Sequence, residues 1–172
     1  SVIGYDGFGF QTIQGVHHRV PHVGRVVIED DVEIDACTCV DRAKFGATRI
    51  CRGAKIDNEV QIAHNCVIGP GSIVAGSTGI AGSVKTGRYC VLAGHVGIRD
   101  NFTLGDGVQV GAYTPVYHDL PAGAAVLGVP ARPAEETMRL WAAQKKLPDL
   151  LKRVRELESR LETLESVKTE NH

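Results

Sequence analysis

An aliphatic residue recurs every six positions, a period that few folds accommodate. From Ile28 the steps run Ile28, Ile34, Val40; after a slip of four residues they resume at Ile50 and continue through Ile56, Ile62, Ile68, Val74, Ile80, Thr86, Leu92, Ile98, Leu104 and Val110. Thirteen of these fourteen positions are aliphatic, Thr86 being the exception. The next residue is usually small or acidic (Glu29, Asp41, Asp57, Ala63, Gly69, Ala81, Gly87), and the fifth is usually small or apolar (Thr38, Ala54, Val60, Cys66, Ser72, Val84). Neither a 3.6-residue period nor plain alternation yields this pattern. A hexad is one short strand plus a tight turn, its aliphatic residue pointing inward and the small residue letting the chain bend. Three hexads make one triangular coil of a parallel β-helix, and coils stack at about 4.8 Å. Aromatic residues are only 5% of the chain, as expected of a narrow interior filled by Val, Ile, Leu and Ala. The slip around Arg42 to Arg49 predicts a loop at one corner. Stacking also places His64, Gly82 and Asp100, each third in its hexad, in one column on the outside of an edge.

Nineteen basic and twenty acidic residues leave a net charge of -1, which gives no electrostatic case for nucleic acid or an anionic membrane. The five cysteines, at 37, 39, 51, 66 and 90, are odd in number and form no CxxC, so buried thiols in a reducing cytoplasm are expected. Asn65 to Val84 is uncharged, but its glycines and Pro70 make it a poor spanning helix, and no transmembrane segment is expected. No stretch resembles a signal peptide, and the start at Ser1-Val2-Ile3-Gly4 reads as a start inside a structured region. GxGxxG, GxxxxGKS and GxSxG are absent, so nucleotide folds and the hydrolase elbow find no support.

The expected organisation is a β-helix over residues 1–117, an exit loop rich in Pro and Gly over 118–133, and C-terminal helices over 134–172. Pro133, Glu135 and Glu136 suit a helix start, and Pro148 is expected to open a second helix. Leu150, Val154, Leu157, Leu161 and Leu164 form a heptad seam of about two heptads, marginal alone. It suits either a bundle between subunits, the favoured reading, or a helix folded back on its own chain. His172 and its neighbours look frayed.

His64 lies in Asp57-Asn58-Glu59-Val60-Gln61-Ile62-Ala63-His64-Asn65, at an external hexad position on a rigid coil. A neutral imidazole held there can take a proton from an attacking amine or hydroxyl, with Asp57 and Gln61 upstream as supports. From spacing alone His64 reads equally as a surface histidine. His17 and His22 have a spacing similar to zinc ligands in trimeric β-helix enzymes of the carbonic anhydrase type, but the third histidine has no counterpart, and no metal is expected. His18 and His22 fall in a Gly/Pro loop segment and are expected to be solvated. His95 sits on another part of the prism, and His118, after the last regular hexad, suits a contact with a neighbouring subunit. The acidic cluster Asp30, Asp31 and Glu33 reads as solvated.

The hexads resemble the hexapeptide acyltransferases, whose left-handed parallel β-helix departs from the right-handed crossover rule. Ile3-Gly4-Tyr5-Asp6-Gly7-Phe8-Gly9-Phe10, Val20-Pro21-His22-Val23-Gly24-Arg25-Val26, Asp30-Asp31-Val32-Glu33-Ile34 with Thr38-Cys39-Val40-Asp41-Arg42, and Lys55-Ile56-Asp57-Asn58 through Gln61-Ile62-Ala63-His64-Asn65 resemble the IGxDGFGF, IPQxGxV, DDVEI…TTIDR and KIDNxVQIAHN segments of the UDP-3-O-acylglucosamine N-acyltransferases of lipid A synthesis. The likeness covers roughly residues 1–112.

That resemblance implies an all-β, left-handed parallel β-helix with a C-terminal α-helical extension, assembled as a cytoplasmic homotrimer. It implies transfer of a 3-hydroxyacyl group from the 4'-phosphopantetheine of acyl carrier protein to the 2-amino group of a UDP-glucosamine derivative, with no bound cofactor. By motif, His64 would be the general base and Gly82 a backbone donor to the thioester oxyanion, with Asp57 and Gln61 in support. Asn101 stands where many members have a second histidine and can donate a hydrogen bond without changing charge. The family's N-terminal uridine-binding domain is absent from this sequence. The exit sequence Leu120-Pro121-Ala122-Gly123…Gly128-Val129-Pro130-Ala131 is closer to the general hexapeptide acyltransferases. Two alternatives follow: an acetyl-CoA-dependent sugar or amino-sugar acetyltransferase, and a non-catalytic trimeric scaffold.

Overall fold

The computed structural model describes residues 1–128, the backbone of a helix over 134–170 and the helix side chains of 138–161. The end of the expected exit loop, Glu135, Glu136, the Leu164 side chain and His172 lie outside the described residues. Two compact units result, Ser1–Val129 and Pro130–His172.

The first unit is a parallel β-helix. Its strands are β1 (Val2–Asp6), β2 (Phe10–Ile13), β3 (Val16–Arg19), β4 (Arg25–Ile28), β5 (Glu33–Ile34), β6 (Cys39–Arg42) and β7 (Ala47–Ile50), followed by two-residue strands from β8 (Lys55–Ile56) to β19 (Ala125–Val126). They stack into three faces of six, five and six strands. One face aligns Val40, Ile62, Ile80, Ile98 and Val116; the second Ile28, Ile50, Ile68 and Leu104; the third Ile34, Ile56, Val74, Leu92, Val110 and Val126. Partners are eighteen apart below the slip, as Ile62↔Ile80 shows, and twenty-two apart across it, as Val40↔Ile62 shows. The slip is a bend of residues 44–46 between β6 and β7, at a corner as expected.

From Val40 to Val110 every first-position hexad residue is buried, Thr86 included. Ile28 departs from this at 43% exposure, because β4 is the terminal strand of its face and no rung covers it. Fifth-position polar groups are tolerated inside because they find carbonyls: Thr38 Oγ1 donates to the Asp57 carbonyl at 2.7 Å and Thr78 Oγ1 to that of Ala93 at 3.0 Å. The turn itself is made by the fourth residue, which takes the left-handed conformation at Glu59, Asn65, Ser77, Ser83, His95 and Asn101. The small second residue has another cause: a Cβ on Gly69 would stand 2.0 Å from the Gly87 carbonyl oxygen of the coil below.

Two features differ from the sequence expectation. Between β1 and β4 the chain leaves the prism and folds β2 and β3 into an antiparallel hairpin, turned by Gln14 and Gly15, both at positive φ. Beyond Val116 the prism continues: Leu120 bridges Leu104 and is 5% exposed, and β19 pairs with β17 (Gln109–Val110) at Gln109↔Ala125. That pairing is sixteen residues apart, two short of a coil, so the period is lost while the stacking persists.

The second unit is one helix, α1 (Ala134–Glu170), of 37 residues with Pro148 inside it. Pro148 was expected to open a second helix. Flanking Ala142, Ala143, Lys145, Lys146, Leu150 and Leu151 are strong helix formers, which carry the helix past the hydrogen bond and the ring clash that proline costs at the carbonyl four residues back. Leu150, Val154, Leu157 and Leu161 are 47–58% exposed. No helix among the described residues is long and apolar enough to cross a membrane.

Candidate active site

His64 stands on the turn between β9 (Gln61–Ile62) and β10 (Val67–Ile68), half-buried. Its ring lies over Gly82 of the next coil, where a Cβ would be 2.6 Å from Cε1 and 2.8 Å from Nε2. The expected column is therefore real, and Gly82 clears the room in which the imidazole sits.

The tautomer of His64 follows from its neighbour. Asn65 Nδ2 donates to the Phe45 carbonyl at 2.9 Å, while its Oδ1 accepts the Lys44 N–H at 2.9 Å. Backbone groups cannot exchange roles, so the amide orientation is fixed. His64 Nδ1 lies 3.2 Å from that Oδ1 and is thereby the protonated nitrogen, leaving Nε2 as a free base over Gly82.

The carboxylate that Gln61 meets is Asp41, at β6, and not Asp57. Gln61 Nε2 donates to Asp41 Oδ2 at 3.2 Å. Burial pushes the Asp41 carboxyl above the ordinary value, opposed by the Gln61 hydrogen bond and by the charges that His64 and His22 carry when protonated. Asp57 is occupied elsewhere: Oδ1 accepts from the N–H and Nδ2 of Asn58, and Oδ2 accepts the Gly76 N–H at 2.9 Å. Its position one hexad upstream puts it on another face from β9, so the structure does not bring it to His64. Gln61 is engaged with Asp41. Asn101 donates its N–H to the Gly82 carbonyl at 3.0 Å and its Nδ2 to Asp100 Oδ2 at 2.6 Å, one coil below Gly82.

His22 was expected to be solvated and is not. It is 4% exposed, and its ring meets that of His64 edge-on with centroids 5.1 Å apart. The chain that leaves β1 wraps it: a Cβ on Gly9 would be 2.7 Å from its Cε1, and one on Gly7 2.9 Å from its Nε2. The DGFG run held the signal, since two glycines one residue apart mark a close approach of backbone to something bulky. His17 is separate, exposed on the hairpin with Nδ1 2.9 Å from Thr12 Oγ1. His95 stacks on Tyr113 at 4.6 Å, and His118 is exposed. Among the described residues no three His, Cys, Asp or Glu group to hold a metal. Burial pushes the Cys66 thiol up to about 12 and raises those of Cys51 and Cys90, so none is a ready nucleophile.

An open groove of about 420 Å³ runs from Gln61 and Ala63 over Gly79, Ala81 and Gly97 to Pro115 and Tyr117. Its floor exists because Gly79 and Gly97 point outward without side chains, and a Cβ on either would touch nothing within 4 Å. The largely apolar groove, with Arg99 in its lining, thus runs past Ala63 and Ala81, the residues that precede His64 and Gly82.

No family model matches the chain. Among curated proteins, UDP-3-O-acylglucosamine N-acyltransferase from Helicobacter hepaticus is 45% identical over 148 residues, covering 86% of this chain and 45% of the relative. Those of Wolinella succinogenes (46% over 146 residues; 84% and 46%) and Myxococcus xanthus (50% over 173 residues; 98% and 50%) agree. Two solved structures share the fold: LpxA from Acinetobacter baumannii, with TM-score 0.64 and 22% identity over 79% of this chain and 52% of that one, and UDP-N-acetylglucosamine acyltransferase from Campylobacter jejuni, with TM-score 0.64 and 23% identity over 86% and 61%. The prism is accordingly the left-handed β-helix of acyltransferases. The chain spans about half the length of the curated relatives it matches, and over that half it is homologous to the UDP-3-O-acylglucosamine N-acyltransferases.

Proposed function

We propose that this chain carries the catalytic prism of an N-acyltransferase of lipid A synthesis. It moves a 3-hydroxyacyl group from the phosphopantetheine thioester of acyl carrier protein to the 2-amino group of a UDP-3-O-acylglucosamine, in the cytoplasm. His64 Nε2 takes the proton from the amine as its nitrogen attacks the thioester carbon. The N–H of Gly82 donates to the developing oxyanion, which collapses to the amide as the C–S bond breaks, and the His64 imidazolium returns its proton to the departing sulfur, releasing the thiol. Asp41, with Gln61 upon it, supplies the negative charge that favours the imidazolium formed in the step. Asn101 supports the Gly82 turn, Asp57 braces a neighbouring coil, and the glycine-floored groove suits a hydrocarbon chain. A homotrimer encloses these parts, since the His64 edge is convex and the α1 seam is apolar and exposed.

The observation that carries this reading is the bare Nε2 of His64 poised over Gly82. His64→Ala is the test, following thiol release from acyl carrier protein thioester with UDP-3-O-acylglucosamine as acceptor. The rate should fall by about 10²- to 10⁴-fold, the worth of a positioned base, with melting nearly unchanged. Full turnover in the variant would refute the role, and activity with acetyl-CoA alone would refute the donor.

A further inference from the structure

His22 is the feature that the proposed reaction leaves unexplained. Its Nδ1 lies 3.0 Å from the Val20 carbonyl oxygen, which can only accept, so Nδ1 carries the proton. Nε2 of the neutral ring is then a bare electron pair, buried and without a hydrogen-bond partner. An unpaired buried acceptor is costly, and native folds keep few of them. The surroundings are shaped around this one. The position a Gly7 Cβ would occupy is 2.9 Å from His22 Nε2 and also 2.9 Å from His64 Cβ, so the two histidines meet across a space that admits only hydrogen. Their rings stand at 63°.

We propose that His22 is a positioning residue for His64: its Nδ1–H imidazole holds the His64 ring edge-on and sets the unpartnered Nε2 electron pair beside it. The inference rests on His64 being the base. In the step the amine proton passes to His64 Nε2, the nitrogen's electron pair forms the C–N bond as the thioester C–S bond breaks, and His64 returns that proton to the departing sulfur, while His22 neither gains nor loses a proton.

The charged groups around the pair agree with this division. From β6, Asp41 accepts the Gln61 Nε2–H at 3.2 Å. At the end of β1, Asp6 is paired with Arg42 at 3.7 Å. On the segment leading to His22, His17 is held by Thr12, His18 is exposed, and Arg19 lies over the Phe10 ring at 5.1 Å.

Two substitutions separate the electron pair from the ring. His22→Phe keeps a flat ring and removes the acceptor; His22→Gln keeps an acceptor and removes the ring. The readouts are the NMR titration of the His64 ring in the intact protein and the pH profile of kcat. We expect His22→Phe to lower the His64 midpoint and cut kcat by about 10-fold, part of what a positioned base supplies, and His22→Gln to restore both. A parent-like midpoint in His22→Phe, or an equal shift in both variants, overturns the proposal. If a variant does not fold, the parent decides: its His22 nitrogen shifts must report Nδ1–H and bare Nε2 throughout the His64 titration, and protonation at Nε2 in that range overturns it. These titrations need no turnover, so they stand apart from loss of the base reading, which an active His64→Ala would signal.

Discussion

Asn65 is held by two backbone groups of opposite character, the Phe45 carbonyl and the Lys44 N–H, and it passes that orientation to His64. Asn65→Asp keeps the acceptor but makes it a charge, which favours the imidazolium and raises the His64 pKa. The acid limb of the rate profile should move to higher pH, and an unmoved limb would show that Asn65 does not face the base. Asp41 gives the second prediction. Burial raises its folded pKa above the unfolded value, so the native state holds the proton more tightly and stability falls as pH rises through the folded pKa. Asp41→Asn removes that penalty. Urea unfolding should find the variant more stable than the parent at neutral and higher pH, with the difference shrinking as pH falls and vanishing only well below the ordinary carboxylate value, where both side chains are neutral. At this scale the sequence was half legible. His64 and Gly82 share a column because eighteen residues make a coil, which counting reveals. Asp41 and His22 reach the site through the slip and the loop after β1, whose lengths obey no period.

Within the coils, glycine has two uses that look identical in sequence. At Gly69 the coil below leaves no room for a Cβ, whereas at Gly79 the Cβ would enter the open groove. Gly69→Ala should destabilise the prism by about 3 kcal/mol in denaturant unfolding, the upper end of ordinary overpacking costs. Gly79→Ala should change stability by less than about 0.5 kcal/mol, as surface changes do. Equal costs at both positions would mean that coil contact does not dictate the small residues. The hexad period announced the strands, the three faces and the buried column from Val40 downward. It was silent on the hairpin, where Gln14-Gly15 between alternating residues was the only cue, and on β19, where two missing residues broke the count but not the pairing.

For the whole molecule, the open question is what covers the Leu150–Leu161 seam. The proposed trimer predicts sedimentation as three copies at about micromolar concentration, and Leu150→Glu with Leu157→Glu should shift the protein toward smaller species by burying like charges in the seam. A monomeric parent would defeat it. One last consequence belongs to the corners. The slip between β6 and β7 changes the spacing of paired residues to twenty-two, and the hairpin stretches Val2↔Cys39 to thirty-seven, yet the rungs below keep a register of eighteen down to Ile98↔Val116, before the last pairing shortens to sixteen. Length added at a corner is not propagated along the axis. Evolution can therefore rewrite the segments that overhang His64 as freely as tabs on a stack of cards, trying new substrates without re-solving the fold that holds the base in place.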